Sequence, residues 1–226
     1  MKLVIKIGGS VFASPLEPER ILQYSSILKT LKEDGHEIVV VVGGGRVARE
    51  FISIADKMGL SDTDKDEIAI SVSRLNAQLL ARSLHGLSSK DIPSSTEEVK
   101  SLLGVGKVVV MGGLKPGITT DAVAAIVLES IGSKILVKAT DQDGIYDKDP
   151  RRFPNAKRLE RLSYNDLHGI VSGEAHRPGM HEILDANSIR ILEDQGARVI
   201  VVNGLKPENI LLVARGTKIG TSVEPN

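Results

Sequence analysis

Met1-Lys2-Leu3-Val4-Ile5-Lys6-Ile7-Gly8-Gly9-Ser10 begins the chain as a short, mostly apolar and β-branched run that ends in a double glycine. The same arrangement recurs at Ile38–Val42 before Gly43-Gly44-Gly45, and at Val108–Met111 before Gly112-Gly113. Runs without polar alternation are typical of parallel strands that are covered on both faces. The pattern therefore predicts a mainly parallel sheet whose strands end in glycine-rich turns.

Further strands are predicted at Ile135–Val137 and Val199–Val202, and longer segments with helical periodicity separate the runs. The predicted helices are Pro18–Glu33, Arg46–Met58, Asp66–Leu84, Thr120–Ile131, Ser163–Ser172, Asp185–Gln195 and Pro207–Ala214. This alternation is typical of α/β proteins. We expect a three-layer α/β/α sandwich formed by residues 1–226 as a single domain, which is an ordinary size for one core.

Two segments without helical or strand periodicity are predicted to be loops. Ser88–Ser95 is rich in serine, and Thr140–Asn155 is rich in aspartate, glycine and proline. The second loop is long for a compact domain, and loops of that length are more often functional than idle.

Charge and composition exclude several classes of partner. The 29 basic and 29 acidic residues cancel, so the chain has no overall positive field to attract a nucleic-acid polymer or an anionic membrane. The longest apolar run, Ala122–Leu128, is much shorter than the roughly 20 residues of a membrane-spanning helix. The apolar run near Met1 is also too short for a signal peptide, and there is no cysteine. We expect a cytoplasmic protein.

The three glycine-rich turns should meet at one edge of the sheet, because ligands of open α/β sheets bind beyond the carboxyl ends of the strands. Glycine lets the backbone approach a ligand closely, and the helix that starts at Arg46 directs its positive end to the same place. Lys6 and Arg49 would add two cations there. Such a set favours an anion site and resembles a charge clamp for a transferring phosphoryl group.

Other sites are excluded because their motifs are absent. The sequence has neither G-x-x-x-x-G-K-[ST] nor G-x-G-x-x-G, which excludes the P-loop and the dinucleotide fingerprint. It also lacks G-x-S-x-G and H-E-x-x-H. His176 and His181 lie in a predicted loop beside Pro178-Gly179, and we expect no protein metal site.

Four motifs in fixed order carry a family resemblance. They are Lys6-Ile7-Gly8-Gly9-Ser10, Gly43-Gly44-Gly45-Arg46-Val47-Ala48-Arg49, Thr119-Thr120-Asp121-Ala122-Val123-Ala124-Ala125 and Thr140-Asp141-Gln142-Asp143-Gly144-Ile145-Tyr146. With them the whole chain resembles the amino acid kinase family, and it is most similar to the archaeal type of uridylate (UMP) kinase. The resemblance implies an ATP-dependent phosphotransferase of pyrimidine nucleotide biosynthesis, with Mg²⁺ arriving on ATP and with a hexameric assembly.

The resemblance also implies roles for individual residues. The ATP side would include Gly9, Ser10, Gly45, Arg49, Thr140, Asp141, Tyr146 and Asp149. The UMP side would include Gly44, Asp66, Leu114, Lys115, Pro116, Gly117, Ile118, Thr119 and Thr120. Lys6, Arg49 and Asp121 would be catalytic. The N-terminal half would thus serve mainly the acceptor and the C-terminal half mainly ATP. Position 141, commonly Asn in archaeal relatives, is Asp in this sequence.

Alternatives stay open at this point. Another member of the family could phosphorylate acetylglutamate, aspartate, carbamate or isopentenyl phosphate, and a non-catalytic protein of this fold could bind an oxyanion or a nucleotide. Asp66 could be an acid at the start of a helix, and Thr119-Thr120-Asp121 could be a helix cap.

Overall fold

The computed structural model describes residues 1–12, 15–171 and 183–225. The strands are β1 Lys2–Ile7, β2 Glu37–Val42, β3 Val109–Met111, β4 Ile135–Thr140, β5 Ile145–Tyr146, β6 Arg158–Leu159, β7 Arg161–Ser163, β8 Arg198–Asn203 and β9 Thr221–Glu224. The helices are α1 Gly9–Phe12, α2 Pro18–Glu33, α3 Gly45–Lys57, α4 Asp62–Ser83, α5 Thr96–Gly104, α6 Thr120–Ile131, α7 Tyr164–Val171, α8 Ala186–Asp194 and α9 Glu208–Ala214.

Across the described residues, seven strands form one sheet in the order β3-β2-β1-β4-β8-β9-β7. Among the described strands of this sheet, those from β3 to β8 run parallel, and β9 pairs antiparallel with β8. In β1 and β2 every residue after the first is buried, because helices cover both faces. The predicted mainly parallel sheet is confirmed.

Helices form a layer on each side of this sheet. On one face, α2, α4 and α9 contact the strands, and α3 packs on α4. On the other face, α5 and α6 contact the strands, and α8 packs on α6. The buried alanines of α6 face β1, β2 and β4. Asp121 in its first turn contacts Lys6, which places the N-terminus of α6 near the carboxyl end of β1. The predicted three-layer sandwich is confirmed. No helix of the described residues combines the length and apolarity needed to cross a bilayer.

Several predicted boundaries are wrong. Helix α4 begins at Asp62, four residues before the predicted start, because Ser61 and Asp64 form a capping box. Asp66 therefore lies beyond the first turn of α4 and is not a helix N-terminal acid. The predicted loop from Thr140 to Asn155 contains β5, which pairs with β6 in a small ribbon. Ser172, the predicted end of α7, lies outside the described residues, as do His176 and His181.

Candidate active site

A cavity of about 590 Å³ lies beyond the carboxyl ends of β1, β2 and β4, and we call it the larger cavity. Lys6 of β1 and Lys138 of β4 line its floor, and the glycine turns after β1 and β2 line its wall. The loop after β4 closes the opposite side with Tyr146 and Asp149. The predicted convergence of the glycine turns on one edge of the sheet is therefore observed.

A second cavity of about 410 Å³, the smaller cavity, lies next to the first. Asp66 of α4, Gly113 after β3 and Gly117 in the following turn line it. Gly44 and Thr120 line both cavities. The two cavities therefore adjoin at a junction between the triple-glycine turn and the start of α6.

Most residues predicted for the two substrates separate between the cavities, whereas Gly44 and Thr120 line both. The larger cavity is lined by all eight residues predicted for ATP: Gly9, Ser10, Gly45, Arg49, Thr140, Asp141, Tyr146 and Asp149. The smaller cavity is lined by six of the nine predicted for UMP: Gly44, Asp66, Gly117, Ile118, Thr119 and Thr120. Leu114, Lys115 and Pro116 lie in the same segment but do not line it.

The glycine turns after β1 and β2 require glycine because their backbones touch each other. A Cβ on Gly9 would overlap the backbone nitrogen and Cα of Gly45. Gly45 also has a φ of +69°, which side chains with a Cβ rarely adopt. The two turns are thus held against each other at van der Waals distance, and any side chain would separate them.

A carboxylate beneath the junction joins two lysines. Asp121, in the first turn of α6, accepts hydrogen bonds from Lys6 Nζ at 3.1 Å and from Lys138 Nζ at 2.7 Å. The two lysines are neighbours in the β1–β4 register. The Lys138 side chain is 3% exposed and that of Asp121 is 15% exposed. Two cations are therefore fixed side by side at the floor of the larger cavity.

The electrostatics of this group follow from burial and charge. Burial opposes ionisation of Asp121, but the charges and hydrogen bonds of Lys6 and Lys138 outweigh it and hold the pKa of Asp121 below its ordinary value. Burial, and then the charge of Lys6, lower the pKa of Lys138 from 10.5 to about 8. Asp121 limits that decrease. Lys138 is consequently charged at neutral pH and close to losing its proton.

A second carboxylate, Asp185, ties α8 to the junction. Its Oδ1 accepts from Ser188 N and caps α8, and its Oδ2 accepts from Thr119 Oγ1 at 2.5 Å. Thr119 in turn caps α6 by accepting from Ala122 N. Lys138 also donates to the carbonyl of Ile183. Two helix N-termini are therefore joined beside the lysine pair, and Thr119 is both a helix cap and part of the smaller cavity.

The mouth of the larger cavity is polar and more exposed. Arg151 forms an ion pair with Asp141 at 2.5 Å, with side chains 61% and 33% exposed. Thr140 Oγ1 accepts from Gln142 N, which shapes the turn after β4. Asp149 accepts from Arg151 N. The loop is therefore held by its own hydrogen bonds.

In the smaller cavity, Asp66 is already engaged with the segment after β3. Its Oδ2 accepts from Gly117 N at 2.7 Å. Gly117 has a φ of +81°, so the turn depends on glycine. Asp66 thus fixes the shape of this turn at the wall of the smaller cavity.

The described residues contain no group of three or more His, Asp or Glu side chains suited to hold a metal ion. Both oxygens of Asp121 accept from lysines, and both of Asp185 accept from Ser188 and Thr119. The carboxylates at the junction are therefore used by the protein itself.

Sequence reasoning missed Lys138, Asp185 and Arg151. Lys138 directly follows the predicted strand Ile135–Val137, and a lysine in a strand covered on both faces is a usable signal, as Lys6 was in β1. The sequence pattern predicts Asp185 only as the start of a helix. Its contact with Thr119 joins residues 66 positions apart, which no local pattern reveals.

Comparisons with known proteins agree with this geometry. The model of the amino acid kinase family matches residues 1–203. A uridylate kinase of Methanocaldococcus jannaschii is 40% identical over 99% of this chain and 100% of its own. One of Natronomonas pharaonis is 38% identical over the full length of both. The crystal structure of uridylate kinase from Archaeoglobus fulgidus superposes with a TM-score of 0.88 at 37% identity, covering 99% of this chain and 100% of that one.

Proposed function

This chain belongs to the amino acid kinase family, and we propose that it transfers the γ-phosphoryl group of ATP to UMP. The products are ADP and UDP. The observation that carries the proposal is the junction, where two cavities adjoin at Gly44 and Thr120 above two buried lysines. Full-length similarity to uridylate kinases identifies the acceptor.

The chemistry needs charge neutralisation more than proton transfer. The second pKa of a nucleotide phosphate is about 6, so the phosphate of UMP is largely a dianion at pH 7 and no general base is required. One of its oxygens forms the new bond to the γ-phosphorus, and the bond from that phosphorus to the bridging oxygen of ADP breaks. The barrier lies in aligning two anions, which favours fixed cations and backbone N–H groups.

We assign that task to Lys6, Lys138 and the glycine turns, with Arg49 at the start of α3 as a further cation. Strands β1 and β4 hold the two lysines in register, and the transferred group would lie above them. Asp121 lies beneath both lysines and keeps them oriented, and it raises the pKa of Lys138. Asp121 would therefore act through the lysines rather than on the phosphate.

The substrates would divide as the cavities do. The larger cavity would hold ATP as its Mg²⁺ complex, with the metal ligated by phosphate oxygens and water, since the junction carboxylates are engaged by the protein. The smaller cavity would hold UMP, with Asp66 on its ribose. Residues 1–226 would form one domain in which the N-terminal half serves mainly UMP.

Self-association is part of the proposal. Helix α3 exposes Phe51 and Ile54, Met58 is exposed directly after its end, and the adjoining α4 exposes Leu75 and Leu79. Neighbouring exposed apolar side chains of this kind are typical of an interface. We infer a homo-oligomer, a hexamer by family resemblance, that works in cytoplasmic pyrimidine nucleotide biosynthesis.

The test is ADP release from Mg²⁺-ATP with a panel of acceptors: UMP, CMP, acetylglutamate, aspartate, carbamate and isopentenyl phosphate. We expect turnover with UMP to exceed that with every non-nucleotide acceptor by about 10³-fold or more, because a site built for one polar ligand leaves buried groups unpaired with another. Preferential turnover of a non-nucleotide acceptor would overturn the proposal. Nucleotide binding without ADP release would favour a non-catalytic protein.

A further inference from the structure

Helix α4 places three polar side chains along the side that faces the two cavities. Asp66, Ser73 and Asn76 recur at intervals of seven and three residues, which puts them on one face of a helix. Each contacts a different turn of the site. Ser73 and Asn76 are buried. The proposed function does not assign a role to either of them.

Asn76 holds the triple-glycine turn from behind. Its Nδ2 donates to the carbonyl of Gly43 at 3.0 Å and to that of Gly44 at 3.3 Å. In a trans peptide the carbonyl and the next N–H point in opposite directions. Holding these two carbonyls toward α4 therefore turns the N–H groups of Gly44 and Gly45 away from it. They face the side on which Gly9 and the larger cavity lie.

Ser73 holds the turn after β3 in a similar way. Its Oγ accepts from Gly113 N at 2.8 Å and donates to the carbonyl of Ile70 at 2.7 Å. A Cβ on Gly112 would come within 2.8 Å of the Ser73 backbone, so this turn lies directly against α4. Ser73 and Gly113 both line the smaller cavity.

We propose that Asn76 is a positioning residue for phosphoryl transfer, and that Ser73 is one for the acceptor. Asn76 aims the N–H groups of the triple-glycine turn at the phosphates, and Ser73 fixes the wall of the smaller cavity. Because both lie on α4, that helix sets the distance between the acceptor and the phosphate-binding turn. This inference rests on the proposed function.

The first experiment compares Asn76→Ala with Tyr164→Phe as a matched control. Tyr164 is a buried side chain that donates a hydrogen bond to the backbone carbonyl of Ala197. Ala197 directly precedes β8 and therefore lies at the end of the strands away from the two cavities. We expect Asn76→Ala to lower kcat by about tenfold or more beyond the control, because small displacements of aligned groups are costly. The KM for UMP should change less than kcat, since Gly44 is one of several residues that line the smaller cavity. A kcat equal to that of the control would overturn the role of Asn76.

The second variant, Ser73→Ala, tests whether Ser73 positions the acceptor. It should raise the KM for UMP more than the KM for ATP, whereas equal effects would overturn the role of Ser73. Ser133→Ala is its control, because Ser133 is a buried hydroxyl bonded to Lys2 O at the far edge of the sheet.

A measurement on the free protein separates this inference from the proposed function. Amide hydrogen exchange of residues 43–48 should accelerate by about tenfold in Asn76→Ala and stay unchanged in Tyr164→Phe. Unchanged exchange in residues 43–48 of Asn76→Ala would overturn the inference even if the enzyme is a UMP kinase. A wild-type protein without activity on UMP would refute the proposed function, and the exchange measurement would still decide whether Asn76 holds the turn. If Asn76→Ala does not fold, Asn76→Ser serves, since its shorter side chain cannot reach both carbonyls.

Discussion

Two groups of carboxylates and cations in this molecule have similar chemistry and very different surroundings. At the junction, Asp121 joins Lys6 and Lys138, and their side chains are 15%, 9% and 3% exposed. At the mouth of the larger cavity, the side chains of Arg151 and Asp141 are 61% and 33% exposed. Removing one member of a buried group leaves an uncompensated charge, whereas water replaces a lost partner at the surface. The junction should therefore determine catalysis, and the exposed pair should only adjust it.

The largest expected effect is that of Lys6→Ala. We expect kcat to fall by about 10² to 10³-fold, because the cation faces charge that develops during transfer, while UMP binding changes only a few-fold. Steady-state kinetics with a separate UMP titration measure both quantities. Lys134→Ala is the control, since Lys134 is an exposed lysine bonded to the Gln195 carbonyl at the opposite edge of the sheet. Unchanged turnover in Lys6→Ala would remove Lys6 from the mechanism.

The second prediction concerns pH and Lys138. Its pKa is about 8 in the folded protein and has an ordinary value of 10.5, so kcat should fall above pH 8 as the cation is lost. The folded protein binds fewer protons than the unfolded chain between these values. The contribution of Lys138 to the free energy of unfolding should therefore rise with pH across the same window.

Opposite trends in activity and stability distinguish this effect from alkaline denaturation. Both are measured between pH 7 and 10 in wild type and in Asp121→Asn, by kinetics and by urea unfolding. Asp121 raises the pKa of Lys138, so its neutral replacement should move the decline in kcat to lower pH. A decline at the same pH in both proteins would contradict the assignment to Lys138.

These two predictions show how far the sequence alone reaches. Lys6 could be predicted because it stands in the apolar run before the first glycine turn, and the runs themselves predicted β1, β2 and β4. Lys138 is missed because the predicted strand ends one residue before it, at Val137, and its pairing with Asp121, 17 residues away, is not visible in a local pattern. The strands depend on local burial patterns, whereas the ion group depends on which strands become neighbours.

The same distinction explains the errors on α4 and in the loop after β4. The start of α4 depends on a capping box at Ser61 and not on apolar periodicity, so the prediction began too late. Strand β5 has two residues and pairs with β6, which follows it by 12 residues. A pattern of two residues is too short to predict a strand without its partner.

A third, smaller effect is expected in the smaller cavity. Asp66→Ala removes the carboxylate that accepts from Gly117 N and, in the proposed function, contacts the ribose of UMP. The KM for UMP should rise by about tenfold or more, and the KM for ATP should change much less, since hydrogen bonds to a charged group contribute about 1.5–3 kcal/mol. Initial-rate kinetics with each substrate varied in turn measure both. Asp62→Ala, in the exposed first turn of the same helix, is the control. Equal rises in the two KM values would contradict the division of the cavities between donor and acceptor.

The smallest effect is expected at the exposed pair. Arg151→Ala should change the free energy of unfolding by less than about 1 kcal/mol, because side chains this exposed are screened by water and salt. The KM for ATP should change by only a few-fold, and Asp141→Asn should match it because either change breaks the same ion pair. Raising the salt concentration should reduce the difference between wild type and Arg151→Ala. A loss of activity comparable with that of Lys6→Ala, unaffected by salt, would mean that Arg151 acts on the phosphates directly. The difference in burial between the two ion groups would then not predict which residues are catalytic.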